Sequence, residues 1–231
     1  LFALNEEGYK RIIKLSSTSF LENDELSDPH INFNELFDDN TGVAIFSGSI
    51  FGFFGELFNK GKFSEILELY KKLKSKFGDR FYLEIQRHGD QNELGFEKFN
   101  LNKSLELEIP LIATNEVFYL DKDMHEAHDA LICIKEKTYI NEKNRIRFTN
   151  NHYFKNDSEM SELFADLPEA LENNYNFPLR CNYRPLFSNP ILPNISSDKD
   201  GNADEILKKD SLEGLKVKFN KIFSLSNDEL E

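Results

Sequence analysis

Two short stretches of this chain carry residues that could do chemistry. Phe77-Gly-Asp-Arg-Phe-Tyr-Leu-Glu-Ile-Gln-Arg-His-Gly89 contains Glu84 and His88, and Ile109-Pro-Leu-Ile-Ala-Thr-Asn-Glu-Val-Phe-Tyr-Leu120 contains Asn115 and Glu116. In each, an apolar run leads into polar side chains that can bind metal. His and carboxylate ligands suit zinc, manganese or iron, and clusters of them activate water for phosphoester hydrolysis. Glu84 and His88 are four residues apart, an even separation that places both on one face of a strand. A competing assignment has His88 satisfying a turn backbone while Glu84 pairs with Arg87 or Arg80. A second candidate is His125-Glu-Ala-His128-Asp129, whose histidines at i and i+3 share a helix face. Its surroundings, with Asp121, Asp123, Glu126 and Asp129, favour a solvated acidic helix start instead.

Other chemistries find little support. There is no glycine-rich phosphate loop, and no nucleophile with a base at credible spacing. Arg145 and Arg147 could touch phosphate, but two loop arginines fit surface salt bridges better. Cys133 and Cys181 lack zinc-ligand spacing and read as reduced thiols of a cytoplasmic protein, with Cys133 in the core. Carboxylates outnumber Lys and Arg 41 to 28, for a net charge of -13, which argues against a general DNA-binding surface. Charged residues make up 30% and hydrophobic ones 39%, an ordinary soluble composition, and no apolar run is long enough to span a bilayer.

Secondary structure must position these groups. Residues 1–20 read as a strand stub feeding an amphipathic helix, and residues 21–42 as a loop with a short helix near Phe33–Phe37. Gly42 to Gly48 has the compact apolar pattern of a buried strand, and Gly52 and Gly55 suit a tight turn into the next helix. A helix over Phe63–Phe77 stops at Gly78. Strand Phe81–Gln86, helix Leu94–Leu107 and strand Leu111–Thr114 follow. A helix over Asp123–Ile134 takes Asp123 as its N-cap. Two short helices, Ser158–Phe164 and Pro168–Asn174, come next, the latter with proline in its first turn. Prolines at 185, 190 and 193 mark an extended connector over 183–202, and Ala203–Phe223 reads as a last helix. Alternating strands and helices predict an α/β fold with mainly parallel strands. Three βα units are too few for a closed barrel, so a truncated barrel fits. The chain also starts at Leu1 inside a helical pattern, as a fragment would.

The ordered series of motifs resembles the PHP (polymerase and histidinol phosphatase) domain at the front of the bacterial DNA polymerase III alpha-subunit family. It comprises Asn5-Glu-Glu-Gly-Tyr9 with Leu15-Ser-Ser17, Ser47-Gly48, the two stretches above, Ala127-His-Asp-Ala-Leu131, Phe164-Ala-Asp-Leu-Pro-Glu-Ala-Leu171, Arg180-Cys181 and Pro190-Ile-Leu-Pro193. The resemblance implies the C-terminal portion of a distorted (β/α)7 barrel over residues 1–182, the connector, and a helical start of the palm region over 203–231. His88 matches the histidine of the family's Gln-x-His-Gly segment. Glu116 and Phe118 stand where its Asp-x-His falls, and phenylalanine cannot ligate. The implied metal candidates are therefore His88, Glu84 and Glu116, at a degenerate zinc or manganese site. No catalytic residues are implied within the chain, because the polymerase carboxylates, which use Mg, lie downstream.

What the resemblance implies is a structural and subunit-docking part of a replicative DNA polymerase, itself inactive. Expected partners are the proofreading exonuclease subunit, the sliding clamp and, through regions not present, DNA. The expected compartment is the cytoplasm, with no membrane contact. The alternative is a metal-dependent PHP phosphoesterase, either a proofreading 3'-5' exonuclease or a pyrophosphatase. A free-standing histidinol-phosphatase-like enzyme fits less well, since the Phe164–Leu171 and Pro190–Pro193 segments resemble the polymerase branch.

Overall fold

The computed structural model describes residues 1–23, 27–187, 189–190 and 203–228. Most of the expected connector, including Pro193, lies outside the described residues. The chain divides into two compact units, Leu1–Arg184 and Pro185–Glu231. Among its described residues the second contains one helix, α9 (Ala203–Asp228).

The first unit is a mixed α/β structure built on a four-stranded sheet of order β1 (Phe2–Ala3), β2 (Val43–Phe46), β3 (Phe81–Ile85) and β4 (Leu111–Ala113). β1 runs antiparallel to β2, and β2, β3 and β4 are mutually parallel, as the βα alternation predicts. The connections supply α1 (Glu6–Leu21), α2 (Phe33–Asp38), α3 (Phe53–Asn59), α4 (Phe63–Phe77) and α5 (Glu93–Leu107). After β4 come α6 (His125–Lys135), α7 (Asp157–Leu163) and α8 (Pro168–Asn176). No described helix is long and apolar enough to cross a membrane.

The two-residue period of β3 sorts its side chains onto opposite faces. Phe81 and Leu83 join the main core, where α4 contributes Ile66, Tyr70, Leu73 and Phe77 and α3 contributes Phe54 and Leu57. Tyr82 points the other way and packs with Ala44, Ile112 and Phe177. Ile85 and Ala113, near the strand ends, pack instead on Phe164 and Ala170. Burying a large apolar side chain stabilises by about 1.5–3 kcal/mol, so α4 is fixed by its tertiary face. Its end is set by Gly78, whose φ of 60° lies in the left-handed region. At the other margin of the sheet, the Asn173 and Asn174 amides donate to the Leu111 and Ala113 carbonyls at 2.8 and 2.6 Å. These bonds satisfy backbone acceptors that another strand would otherwise pair with.

Two local expectations need correction. Asp123 does not cap α6: a 3-10 turn over Lys122–Met124 precedes the helix, and the residue before its first turn is Met124. Gly55 does not make a turn. It lies inside α3, a separate helix that the glycine spacing had concealed, and there the backbone passes very close to Ile50. A Cβ at Gly55 would fall 2.0 Å from the Ile50 carbonyl oxygen, so any side chain must displace backbone. Gly55→Ala should therefore lower stability by about 3 kcal/mol, the upper part of the range for overpacking, measured by urea unfolding. A change below about 0.5 kcal/mol would mean that α3 shifts freely.

Candidate functional site

The β3 strand ends at Ile85, so its alternation does not extend to His88. The even spacing of Glu84 and His88 therefore does not establish their relation, and each is held by different contacts. Glu84 Oε2 accepts the Gly48 N–H at 3.1 Å, and Oε1 accepts from Gln86 Nε2 at 3.0 Å and from the Thr114 hydroxyl. Neither arginine pairs with it. Arg80 donates to the Asn40 and Val43 carbonyls, and Arg87 forms ion pairs with Glu97 and Asp166 at 2.6 Å each. Those bonds raise the Arg87 pKa and tie the end of β3 to α5 and to the turn between α7 and α8.

His88 is 1% exposed and is bounded on every side by fixed groups. Its Nδ1 lies 3.1 Å from Glu93 Oε1, while Glu93 Oε2 accepts the backbone N–H groups of His88, Gly89 and Asp90 at 2.8, 2.8 and 3.1 Å. Burial pushes the Glu93 carboxyl up, but the His88 ring and these N–H groups outweigh it and hold the pKa below the ordinary value. With Glu93 ionised, Nδ1–H donates to it, and Nε2 accepts the Glu116 N–H at 3.2 Å. A carboxylate that orients a histidine through its second nitrogen is the arrangement found behind metal-binding histidines. Here it also reads as a turn clasp. His88 does serve a backbone group, as one sequence assignment had it.

Asn115, Glu116 and Phe118 approach from the end of β4. Asn115 Oδ1 lies 3.1 Å from His88 Nε2. Burial raises the Glu116 pKa, with His88 opposing the shift and Glu84 adding to it, so the three candidate donors share one electrostatic environment. Among the described residues, however, no three His, Cys, Asp or Glu side chains are placed to hold a metal ion. The donors among the described residues do not by themselves make up a ligand set for zinc or manganese.

The space is filled by a segment that the sequence reading passed over. Residues 149–155 run alongside 118–120, with Phe118 N–H to His152 O at 2.9 Å and Phe154 N–H to Tyr119 O at 3.0 Å. Thr149 Oγ1 and Asn151 Nδ2 both donate to the His88 carbonyl, at 2.6 and 3.0 Å. His152, also 1% exposed, lies flat on His88 with ring centroids 3.8 Å apart and planes 2° apart. Phe118 stacks on His152 at 5.0 Å and on His128 at 5.2 Å, and touches Phe148 at 4.5 Å. Phe118 thus extends an aromatic ladder.

The other sequence candidates lie apart from a shared ligand role. His125 Nε2 bonds the Phe148 carbonyl at 3.0 Å, while His128 belongs to the ladder. Arg145 is not a surface arginine: its side chain is 3% exposed and pairs with Asp129 at 2.5 Å, so Asp129 is not simply solvated. The cysteines are both free thiols, and Cys133 is buried. Glu93, His152 and Lys155 were missed. Glu93 had a local signal, an acid at the start of a helix just after a Gly-Asp turn. His152 and Lys155 had none, since the contacts that bring them to the site, with Glu116 and Asn115, span 36 and 40 residues.

Two measurements probe this packing. Glu93→Ala strands three backbone N–H groups and should cost about 3 kcal/mol in urea unfolding; a loss under about 1 kcal/mol would mean that the clasp is not structural. Burial and the adjacent His88 push the His152 pKa down to about 4 from 6.5. The unfolded chain then binds the extra proton between those values, so stability is intact above pH 6.5 and falls as pH drops towards 4. The expected loss is up to about 1.4 kcal/mol per pH unit. His152→Phe, which keeps the stack, should flatten that part of the pH profile; an unchanged slope would show that His152 is not its source.

Comparison with known proteins places the chain. A PHP domain family model matches residues 1–88. The chain is 36% identical over 218 residues to DNA polymerase III subunit alpha of Caulobacter vibrioides, covering 94% of this chain and 19% of that protein. It is 37% identical over 234 residues to the subunit of the same name from Rickettsia conorii, covering 100% and 20%. The subunit from Borreliella burgdorferi is 35% identical over 231 residues, covering 99% and 20%. The chain spans about a fifth of the length of the curated relatives it matches. Over nearly its whole length the chain is related to DNA polymerase III alpha subunits, and its first 88 residues match the PHP domain family.

Proposed function

We propose that this chain acts as the PHP region of a replicative DNA-directed DNA polymerase, as a scaffold and subunit-docking module rather than as a hydrolase. The observation that carries this reading is the commitment of Glu84 and His88 to internal contacts. Glu84 is satisfied by Gly48, Gln86 and Thr114, His88 is clasped by Glu93 and Glu116, and Phe118 lies within the ring ladder. On this reading residues 1–182 are a section of a distorted (β/α)7 barrel, 183–202 connect, and 203–231 lead into the palm. His88, Glu84 and Glu116 are the remnants of a metal site. The polymerase carboxylates and their Mg ions belong to other parts of the protein, as do contacts with DNA. The docking partner is the proofreading exonuclease subunit, and the sliding clamp is a partner of the parent polymerase, in the cytoplasm.

One observation favours a second reading, a metal-dependent phosphoesterase of the exonuclease or pyrophosphatase kind. The His88–Glu93 pair has the geometry that would orient a ligating imidazole. Zinc or manganese would then supply an activated water, and His88, Glu84 and Glu116 would be its ligands.

The test uses the full-length polymerase subunit that contains this chain. The scaffold reading expects binding to the purified exonuclease subunit, weakened at least tenfold when the region is deleted. It also expects no hydrolysis of DNA 3' ends or pyrophosphate that is sensitive to His88→Ala. Hydrolysis abolished by His88→Ala, together with a loss of bound manganese or zinc, would replace it with the phosphoesterase.

A further inference from the structure

The site that lacks a metal-binding set holds a cation of its own. Lys155 Nζ donates to Asn115 Oδ1 at 3.0 Å and to the Asn151 carbonyl, and lies 4.5 Å from the centre of the Tyr153 ring. Both hydrogen-bond acceptors are neutral amide oxygens. The ammonium is part-buried, and burial lowers its pKa, with the charges of Glu159 and Glu93 acting the other way. Nζ and His88 Nε2 both contact Asn115 Oδ1, so the two nitrogens are within about 6 Å of one another.

The orientation of Asn115 suits this charge. A side-chain amide has a donor end and an acceptor end. The Asn115 amide nitrogen donates to the Tyr153 carbonyl at 2.8 Å, which leaves Oδ1 facing His88 Nε2. Nε2 accepts the Glu116 N–H at 3.2 Å, so its lone pair and that of Asn115 Oδ1 lie 3.1 Å apart. The Tyr153 carbonyl and Lys155 together hold the amide this way round, because the carbonyl needs its nitrogen end and an ammonium, which can only donate, needs its oxygen end.

We propose that Lys155 is a tethered cation that does at this site what a bound metal ion would do. It neutralises a convergent set of nitrogen and oxygen lone pairs, and it holds Asn115, and through it His88, in one arrangement. Lys155 is a positioning residue. Its fixed charge also repels any divalent ion that approaches Nε2. The proposal rests on the reading of the strand-end site as one without metal.

The test compares the wild-type chain with Lys155→Gln, Lys155→Met and Lys155→Arg, using Mn2+ alone as the probe. Thermal unfolding of the wild type and of Lys155→Arg should not respond to millimolar Mn2+. Lys155→Gln and Lys155→Met should unfold at lower temperature and bind Mn2+ at least tenfold more tightly than wild type, regaining part of the lost stability. Nitrogen NMR at fixed pH should show one His88 tautomer in the wild type and a change in the Nε2 resonance in Lys155→Gln that Lys155→Arg reverses, a signature that loss of packing alone would not give. If the neutral variants do not fold, the wild type decides: an Asn115 Oδ1 and Lys155 ammonium coupled across their hydrogen bond supports the proposal, and a freely rotating ammonium ends it. Stoichiometric, His88-dependent Mn2+ binding by the wild type would overturn both this proposal and the reading beneath it. Neutral variants that fold, keep the wild-type His88 signature and ignore Mn2+ would overturn this proposal alone.

Discussion

The carboxylate of Glu93 is the constraint on which the strand-end region depends. A parallel strand delivers backbone that must leave the sheet, and the N–H groups of that departing turn have no ladder partner. Glu93 takes three of them and the His88 ring, from the first turn of the next helix. One side chain thus fixes the exit of β3, the entry of α5 and the orientation of the imidazole. The segment from 149 to 155 can then use His88 as a template, bonding its carbonyl and stacking on its ring.

Seen from this clasp, the site is densely hydrogen-bonded. Glu84 and His88 are engaged by protein groups, and the part-buried ammonium of Lys155 sits on amide oxygens. Arg87 adds a second tie, from the same turn to α5 and to the α7–α8 turn, with its guanidinium 4.8 Å from the Phe164 ring. A turn anchored in so many directions suits a surface that other elements build on more than one that must admit substrate.

Much of the fold was legible because it is local. The apolar runs from Val43, Phe81 and Leu111 are short and bounded by glycine or proline, and α4 shows its buried stripe at helical spacing. The errors came where local rules meet tertiary ones. Gly55 reads as a turn residue, but its small size serves the contact with Ile50. The spacing of Glu84 and His88 suggested a shared face, but the strand ends between them. His88, Glu84 and Glu116 do lie in one electrostatic neighbourhood, as paired strand ends predict. Lys155 was invisible, since nothing in Tyr153-Phe-Lys-Asn156 says that a chain returning from residue 149 lands on β4's exit.

The stacked imidazoles have a spectroscopic consequence. At 3.8 Å and 2° between planes, the carbon-bound protons of His88 and His152 lie within each other's shielding cones. Their resonances should be displaced far upfield of those of His30, an exposed histidine with no ring beside it in the described contacts. The chain has no tryptophan to report on its tertiary state by fluorescence. The two rings supply a gauge in its place, located at the one point where β3, β4 and the 149–155 segment meet.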